Sequence, residues 1–139
     1  MDTQTYSVRL NRTDEGDRTV AEVRDFSLTL GAKAGDLSKG FNPAETLLSS
    51  AGACITTSLG LVAENSKVEI DSIAVTVTGT RQSDPPRVIA ADLELEIVSP
   101  ATDEKLERVL RIAEKSSTIV STLKEAMEIT VTWRRAESG

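Results

Sequence analysis

The sequence predicts an α+β fold, with a mainly antiparallel sheet, a central buried helix and two C-terminal helices. Segments that alternate apolar and polar residues, as strands do, lie on both sides of a long helical segment and again at the end of the chain. The helical segment has no charged residue between Glu45 and Glu64, which is typical of a helix buried on most sides. The length of 139 residues suits one domain, predicted over residues 1–139.

The N-terminal third has the character of strands. "YSVRLNR" alternates and is followed by the acidic turn signal "DEGD". "RTVAEVRDFSLTL" alternates less regularly and places Phe26, Leu28 and Leu30 on one face. A glycine-rich loop, "GAKAGDLSKGFNP", then leads to the first helix.

The first helix has a defined start. Asn42 is a good N-cap, Pro43 suits the first helical position, and Glu45 lies three residues after the cap, close to a capping box. Gly52 costs about 1 kcal/mol relative to alanine in a helix, so close packing is expected there. The apolar residues that recur at helical spacing are Leu47, Leu48, Ala51, Ile55, Leu59 and Val62.

The C-terminal half contains three predicted strands and two predicted helices. "DSIAVTVTGTRQ" and "VIAADLELEIVS" alternate as strands with one wet face, and "EITVTWRR" is the last strand. In the second of these, the residues predicted to face inward are Leu93, Leu95 and Ile97. "SPATDEKLERVLRIAEK" is amphipathic, and its apolar stripe is Leu106, Val109, Leu110 and Ala113. "SSTIVSTLKEAM" is a shorter helix, predicted to be capped by Ser116 or Ser117.

Composition restricts the partners of the chain. Hydrophobic residues make up 39% of it and aromatic residues only 3%. This apolar content is low for the core of one small domain, so burial of apolar surface against a second copy of the chain is expected. The formal net charge is −6 and no basic stripe stands out, so no nucleic-acid partner is expected.

The longest apolar run is expected to be too short for a bilayer, and the N-terminus lacks a signal-peptide pattern. The single cysteine, Cys54, cannot form an internal disulfide, which fits a reducing compartment. Together these observations predict a cytoplasmic protein with no membrane partner.

The absence of histidine is the strongest exclusion. A nucleophile activated by an imidazole base cannot exist, and neither can a zinc site built from cysteine and histidine. The acidic residues show no ligand-loop spacing, and no glycine loop has the spacing of a phosphate site. We therefore expect no metal and no cofactor.

The residues "NPAETLLSSAGACITTSLGLVAEN", together with the order of elements from about residue 42 to 133, resemble the OsmC-like family, which includes the organic hydroperoxide resistance proteins. The resemblance implies an intertwined homodimer with two sites at its interface. It also implies a cysteine that attacks a hydroperoxide, a second cysteine that resolves the sulfenic acid as a disulfide, and an arginine and a glutamate that support the first cysteine. Cys54 falls on the position of the attacking cysteine.

Three departures from the family pattern are visible. Ser117, in "KSSTIV", stands where the second cysteine is expected, so no internal disulfide can form. Ala44 stands at the position of the family's glutamate, and Glu45 is one position further on. The supporting arginine is left open between three candidates, which are Arg12, Arg18 and Arg24.

Two interpretations of Cys54 stay open. A reactive thiolate needs a nearby cation or helix N-terminus, and Cys54 lies about three turns into its own helix, too far for that helix to help. Without an arginine from another segment, Cys54 would be a small core residue, because free cysteine is often buried. For Glu45 and Ser117, the simpler interpretations are a capping-box residue and a helix cap.

Two functions follow from these observations. The first is thiol-dependent reduction of organic hydroperoxides through Cys54 as the catalytic residue, with Ser117 and Glu45 binding substrate and an external thiol as reductant. The alternative is a non-catalytic protein that binds a small hydrophobic molecule at a homodimer interface. A weaker third interpretation is a purely structural module.

Overall fold

The computed structural model describes residues 2–137 and divides the chain into two compact units, residues 1–46 and 47–139. The strands are β1 (Arg9–Arg12), β2 (Arg18–Val23), β3 (Phe26–Gly31), β4 (Ser72–Ser83), β5 (Pro86–Val98) and β6 (Glu128–Arg135). The helices are α1 (Pro43–Asn65), α2 (Asp103–Ser116) and α3 (Thr118–Lys124). The α+β class and the order of elements are confirmed. A single domain over residues 1–139 stays a prediction.

The N-terminal unit contains an antiparallel sheet in the order β1-β2-β3. Gly16, at φ +74°, makes the turn between β1 and β2, in the left-handed region that glycine enters without steric cost. Of the predicted apolar face of β3, only Leu30 is buried. Among the described residues of this unit, seven large apolar side chains are exposed in the single chain: Tyr6, Val8, Leu10, Phe26, Leu28, Leu37 and Phe41.

The start of α1 is a complete capping box. The Glu45 N–H donates to Asn42 Oδ1 at 2.7 Å, and the Asn42 N–H donates to Glu45 Oε1 at 2.9 Å. The backbone N–H groups of Asn42 and Glu45 are thereby satisfied by side chains, as the sequence pattern predicts.

In the C-terminal unit, α1 packs closely on β4. A Cβ atom added at Gly52 would lie 3.1 Å from Val77 Cγ2 and 3.3 Å from Val75 Cγ1. The predicted close approach at Gly52 is thus confirmed, since a Cβ atom at this distance would force the two valine side chains to move. The buried residues of α1 are Ala51, Gly52, Ile55, Leu59 and Ala63.

The expectation that no segment is long enough for a bilayer was wrong in terms of length and composition. α1 has 23 residues, and an 18-residue window within it has a mean hydropathy of 1.5, which is enough to cross a membrane by length and composition alone. Its average hydropathy is high because apolar residues recur along it and only its ends carry charges, Glu45 and Glu64. The core helix of a soluble protein meets the same criteria.

The C-terminal sheet has the order β4-β5-β6 and is mixed. β4 pairs with β5 in the antiparallel sense, as predicted, whereas β6 pairs with β5 in the parallel sense, with Val131 opposite Leu93. A parallel neighbour requires a crossover connection, and α2 and α3 supply it between β5 and β6.

The core of this unit lies between the sheet and the helices. Every residue predicted to face inward on β5 is fully buried, and so is the whole predicted stripe of α2. Val120 of α3 is fully buried as well. The members of this core from β5 and α2 are Ala91, Leu93, Leu95, Ile97, Leu106, Val109, Leu110 and Ala113.

Candidate functional site

The Cys54 thiol lies where α1 meets the start of α3. Its side chain is half-buried. The Ile119 N–H, in the first turn of α3, donates to Cys54 Sγ at 3.4 Å. This contact joins residues 65 positions apart in the chain, so it depends on how the two helices pack.

Ser117 is the joint between α2 and α3 and lies beside the same sulfur. It is the C-cap of α2 and the N-cap of α3, with an extended backbone at φ −77° and ψ 112°. The residue is completely buried, and its hydroxyl makes no hydrogen bond of ordinary length and angle. The predicted position of the cap is correct, since Ser117 is the N-cap residue of α3. The cap hydrogen bond itself is absent, because the Ser117 side chain makes no hydrogen bond to the first turn of α3. Its hydroxyl is close enough to Cys54 to act on the thiol.

The pKa of Cys54 is lowered from its ordinary value. Burial is the largest single influence and raises this pKa. It is outweighed by hydrogen-bond donors that stabilise the thiolate, which are the Ser117 hydroxyl, the N–H groups of Ile119 and Thr118, and the Ser58 hydroxyl. We interpret the Ser117 hydroxyl as a donor that engages the sulfur when it ionises, since a buried hydroxyl otherwise has nothing to bond with.

The donors around Cys54 in the described part of the chain are uncharged. The three candidate arginines make other contacts: Arg12 donates to a backbone carbonyl of its own turn at 2.9 Å, Arg18 pairs with Asp17 at 3.3 Å, and Arg24 lies 5.7 Å from an aromatic ring centroid. An arginine acting on Cys54 therefore stays a prediction. Sequence reasoning missed the backbone donors of α3, because an N–H group leaves no signature in the residue types.

Glu45 is fixed at the first turn of α1 by its capping box with Asn42. Its simpler interpretation is thus confirmed, and a role in substrate binding stays a prediction. Among residues 2–137, no three histidine, cysteine or acidic side chains are grouped as a metal site would need.

Comparison with known proteins identifies the family. The family model described as OsmC-like protein matches residues 32–132. The chain belongs to the OsmC-like family. Its sequence is 26% identical over 120 residues to a hydroperoxide reductase of Mycoplasma pneumoniae, covering 83% of this chain and 85% of that protein.

The OsmC-like fold is also seen in solved structures. An OsmC-like protein from Mycoplasma pneumoniae superposes with a TM-score of 0.89 at 24% identity, over 99% of this chain and 100% of that one. An organic hydroperoxide resistance protein from Elizabethkingia anophelis gives a TM-score of 0.74 at 14% identity, over 97% of this chain and 100% of that one. At these identities the likeness supports the fold.

Within this OsmC-like fold, two of the three predicted site residues are brought together. Ser117, at the position where the resemblance places a second cysteine, is among the groups that act on the Cys54 thiol. The chain thus has a hydroxyl donor where the family pattern has a second sulfur.

Proposed function

We propose that this OsmC-like protein reduces organic hydroperoxides through Cys54, with an external thiol as reductant. The observation that carries the proposal is the Cys54 sulfur facing the Ile119 N–H at 3.4 Å, with further donors around it. These donors favour the thiolate, which is the nucleophilic form of cysteine. The name of the Mycoplasma pneumoniae relative, a hydroperoxide reductase, supports the same reaction class.

The proposed cycle has three steps. The Cys54 thiolate attacks the terminal oxygen of the hydroperoxide, the O–O bond breaks, and the products are Cys54 sulfenic acid and an alcohol once the alkoxide is protonated. An external thiol then attacks the sulfenic sulfur, releasing water and leaving a mixed disulfide. A second external thiol attacks that disulfide, restores the Cys54 thiol and leaves as an oxidised disulfide. The external thiol is required because the chain has one cysteine.

We assign substrate-binding roles to Ser117 and Glu45. The Ser117 hydroxyl is buried and lacks an ordinary partner, so it can donate to the thiolate or to the oxygen of the sulfenic acid. The Glu45 carboxylate is held in one orientation by Asn42, which would suit it to orient a bound hydroperoxide. Glu45→Gln should raise KM with little change in kcat if this role is correct.

A homodimer is part of the proposal. Seven large apolar side chains among the described residues 2–46 are exposed in the single chain, and so is Leu61 of α1. Apolar surface of this extent is typical of a protein interface. Light scattering after gel filtration should give twice the chain mass of 14.9 kDa, and a monomer at micromolar concentration would contradict the dimer. A cytoplasmic location stays a prediction, as does the absence of nucleic-acid and membrane partners.

The decisive experiment is stopped-flow oxidation of the purified protein by cumene hydroperoxide. Trapping with dimedone and mass spectrometry should place the sulfenic acid on Cys54, and turnover should require an added thiol. Cys54→Ser should abolish the reaction, whereas Ser116→Ala, a neighbouring serine with an exposed side chain, should retain it. Oxidation no faster than that of free cysteine would overturn the proposal.

A cavity in the N-terminal unit favours a second candidate, the binding of a small hydrophobic molecule. It has a volume of about 490 Å³, and Leu10, Leu30 and Leu37 are among its lining residues. Ligand cavities of a few hundred Å³ with mostly apolar walls are typical of small-molecule sites. The fluorescent probe anilinonaphthalene sulfonate should bind equally well to the wild type and to Cys54→Ser, and Leu37→Ser should weaken its binding. Equal binding by Leu37→Ser would place the probe elsewhere and remove this support.

A further inference from the structure

An ion-pair network centred on Glu114 joins α2 to α3. Lys124 Nζ, on the last residue of α3, lies 2.6 Å from Glu114 Oε2, and Arg111 NH1 lies 2.8 Å from Glu114 Oε1. The Glu114 side chain is only 14% exposed, whereas Lys124 and Arg111 are 40% and 43% exposed. Burial raises the pKa of Glu114, but the bonds from Lys124 and Arg111 outweigh it and lower that pKa. Glu114 is therefore a largely buried carboxylate with both oxygens engaged.

The same network extends to the sheet. Arg111 also donates from Nε to Glu107 Oε1 at 2.6 Å and from NH1 to the carbonyl oxygen of Val131 on β6 at 3.1 Å. Glu107 Oε2 accepts from Trp133 Nε1 of β6 at 2.6 Å. α3 is thus connected through Glu114 and Arg111 to the sheet on which α1 packs.

The connection between α2 and α3 is a single residue, Ser117. At a joint this short, small rotations of one φ/ψ pair change the angle between the helices, so a second point of attachment is needed to fix it. Val120 is completely buried and anchors the middle of α3. Ile119 and Leu123 also pack against the core, and the contact between Glu114 and Lys124 adds a polar attachment at the far end of α3.

We propose that Glu114 and Lys124 are positioning residues for Cys54, because their ion pair holds α3 at the angle that directs the Ile119 N–H onto the Cys54 sulfur. The first turn of α3 supplies the donor at 3.4 Å, and the last residue of α3 supplies the cation of the ion pair. The Ser117 hydroxyl, buried beside the sulfur without an ordinary hydrogen-bond partner, is a second donor that the same joint offers to the thiolate. Loss of the ion pair would let the first turn move and weaken its bonds to the thiolate.

The test measures the thiol pKa of Cys54 from the pH dependence of its alkylation by iodoacetamide, with no hydroperoxide present. Lys124→Met and Glu114→Gln should both shift the midpoint upward, by about 0.5 to 1 pH unit, because a bond to an ionised group is worth at most about 1 to 2 units. Lys124→Arg, which keeps a cation for Glu114, should retain the wild-type midpoint. Arg134→Met is the matched control, since it removes the exposed ion pair of Arg134 with Glu96 on the sheet, and it should leave the midpoint unchanged.

The signs of the two shifts separate positioning from direct charge effects. Removing the positive charge of Lys124 by itself would raise the thiol pKa, but removing the negative charge of Glu114 would lower it. Shifts of opposite sign, or midpoints within about 0.2 unit of the wild type, would overturn the proposal. Faster hydrogen exchange at the Ile119 amide in Lys124→Met, relative to Arg134→Met, is the second expected result, and unchanged exchange counts against the proposal.

This inference concerns the proposed reactive thiol but does not depend on peroxidase turnover. If the alkylation midpoints shift as expected while cumene hydroperoxide fails to oxidise Cys54, the positioning role stands and the proposed function falls. If oxidation is fast but the midpoints do not shift, the proposed function stands and the positioning role falls.

Discussion

Replacing Ser117 with alanine should move the stability of the fold and the acidity of the thiol in opposite directions. The Ser117 hydroxyl is completely buried and makes no ordinary hydrogen bond. A buried hydroxyl in this condition costs about 1–3 kcal/mol. The side chain also makes no cap bond to α3, so the usual loss of about 1 kcal/mol on removing an N-cap does not apply. At a pH where Cys54 is protonated, we expect Ser117→Ala to raise the free energy of unfolding by about 1 kcal/mol.

The same substitution removes a donor from the thiolate. A hydrogen bond to an ionised group is worth about 1.5–3 kcal/mol, and 1.36 kcal/mol corresponds to one pKa unit. The N–H groups of Ile119 and Thr118 remain in Ser117→Ala and compensate in part. We therefore expect the pKa of Cys54 to rise by about 1 unit, with slower alkylation at neutral pH.

The assays are urea unfolding at pH 6 and iodoacetamide alkylation between pH 5 and 10, with Ser116→Ala as the control. Ser116 donates to the carbonyl oxygen of Ile112 at 3.1 Å and is exposed, so its loss should leave the thiol pKa unchanged. An unchanged thiol pKa together with lower stability in Ser117→Ala would refute the reasoning. Ser117 would then act as a structural residue of the α2–α3 joint.

Four further predictions concern both units. Ser117→Cys should form a disulfide with Cys54 after one equivalent of cumene hydroperoxide, so that titration with Ellman's reagent finds no free thiol. Because the pKa of Glu114 is lowered in the fold, its stabilising contribution is complete above its unfolded pKa of about 4.3 and is lost as the pH falls through its folded pKa. Urea midpoints of Glu114→Gln should therefore fall less than those of the wild type on acidification, and an equal fall contradicts this. Asn42→Ala should cost about 1 kcal/mol in the same urea assay, since it removes the cap of α1. Leu95→Ala should cost about 2–5 kcal/mol, because it leaves a cavity in the fully buried centre of β5, and a loss below 1 kcal/mol would show that the core relaxes around it.

The elements that depend on local patterns were predicted well from the sequence. The capping box of α1 uses residues three positions apart, and its reciprocal bonds form as predicted. The inward residues of β5 follow from an alternation with a period of two, and all of them are buried. Local sequence is sufficient in both cases because the interacting groups are close in the chain or share one periodic face.

The exposure of the N-terminal sheet was predicted less well. The pattern of β3 indicates one apolar face, yet Phe26 and Leu28 are exposed in the single chain. An apolar pattern shows that a surface favours burial, but it does not show which surface covers it. This is the physical reason why the pattern supports the proposed homodimer without establishing it.

The sequence by itself determined the α+β class, the start of α1, the inward faces of β5 and α2, and the presence of one cysteine without a histidine or a second cysteine to assist it. Only the tertiary structure decided that β6 runs parallel to β5, that Ser117 is a buried joint without a cap bond, and that the Ile119 N–H meets Cys54. Local patterns depend on side-chain type and are encoded residue by residue. Three of the four donors at the thiol, the Ser117 hydroxyl and the N–H groups of Thr118 and Ile119, come from a segment distant in the chain, and helix packing sets their direction.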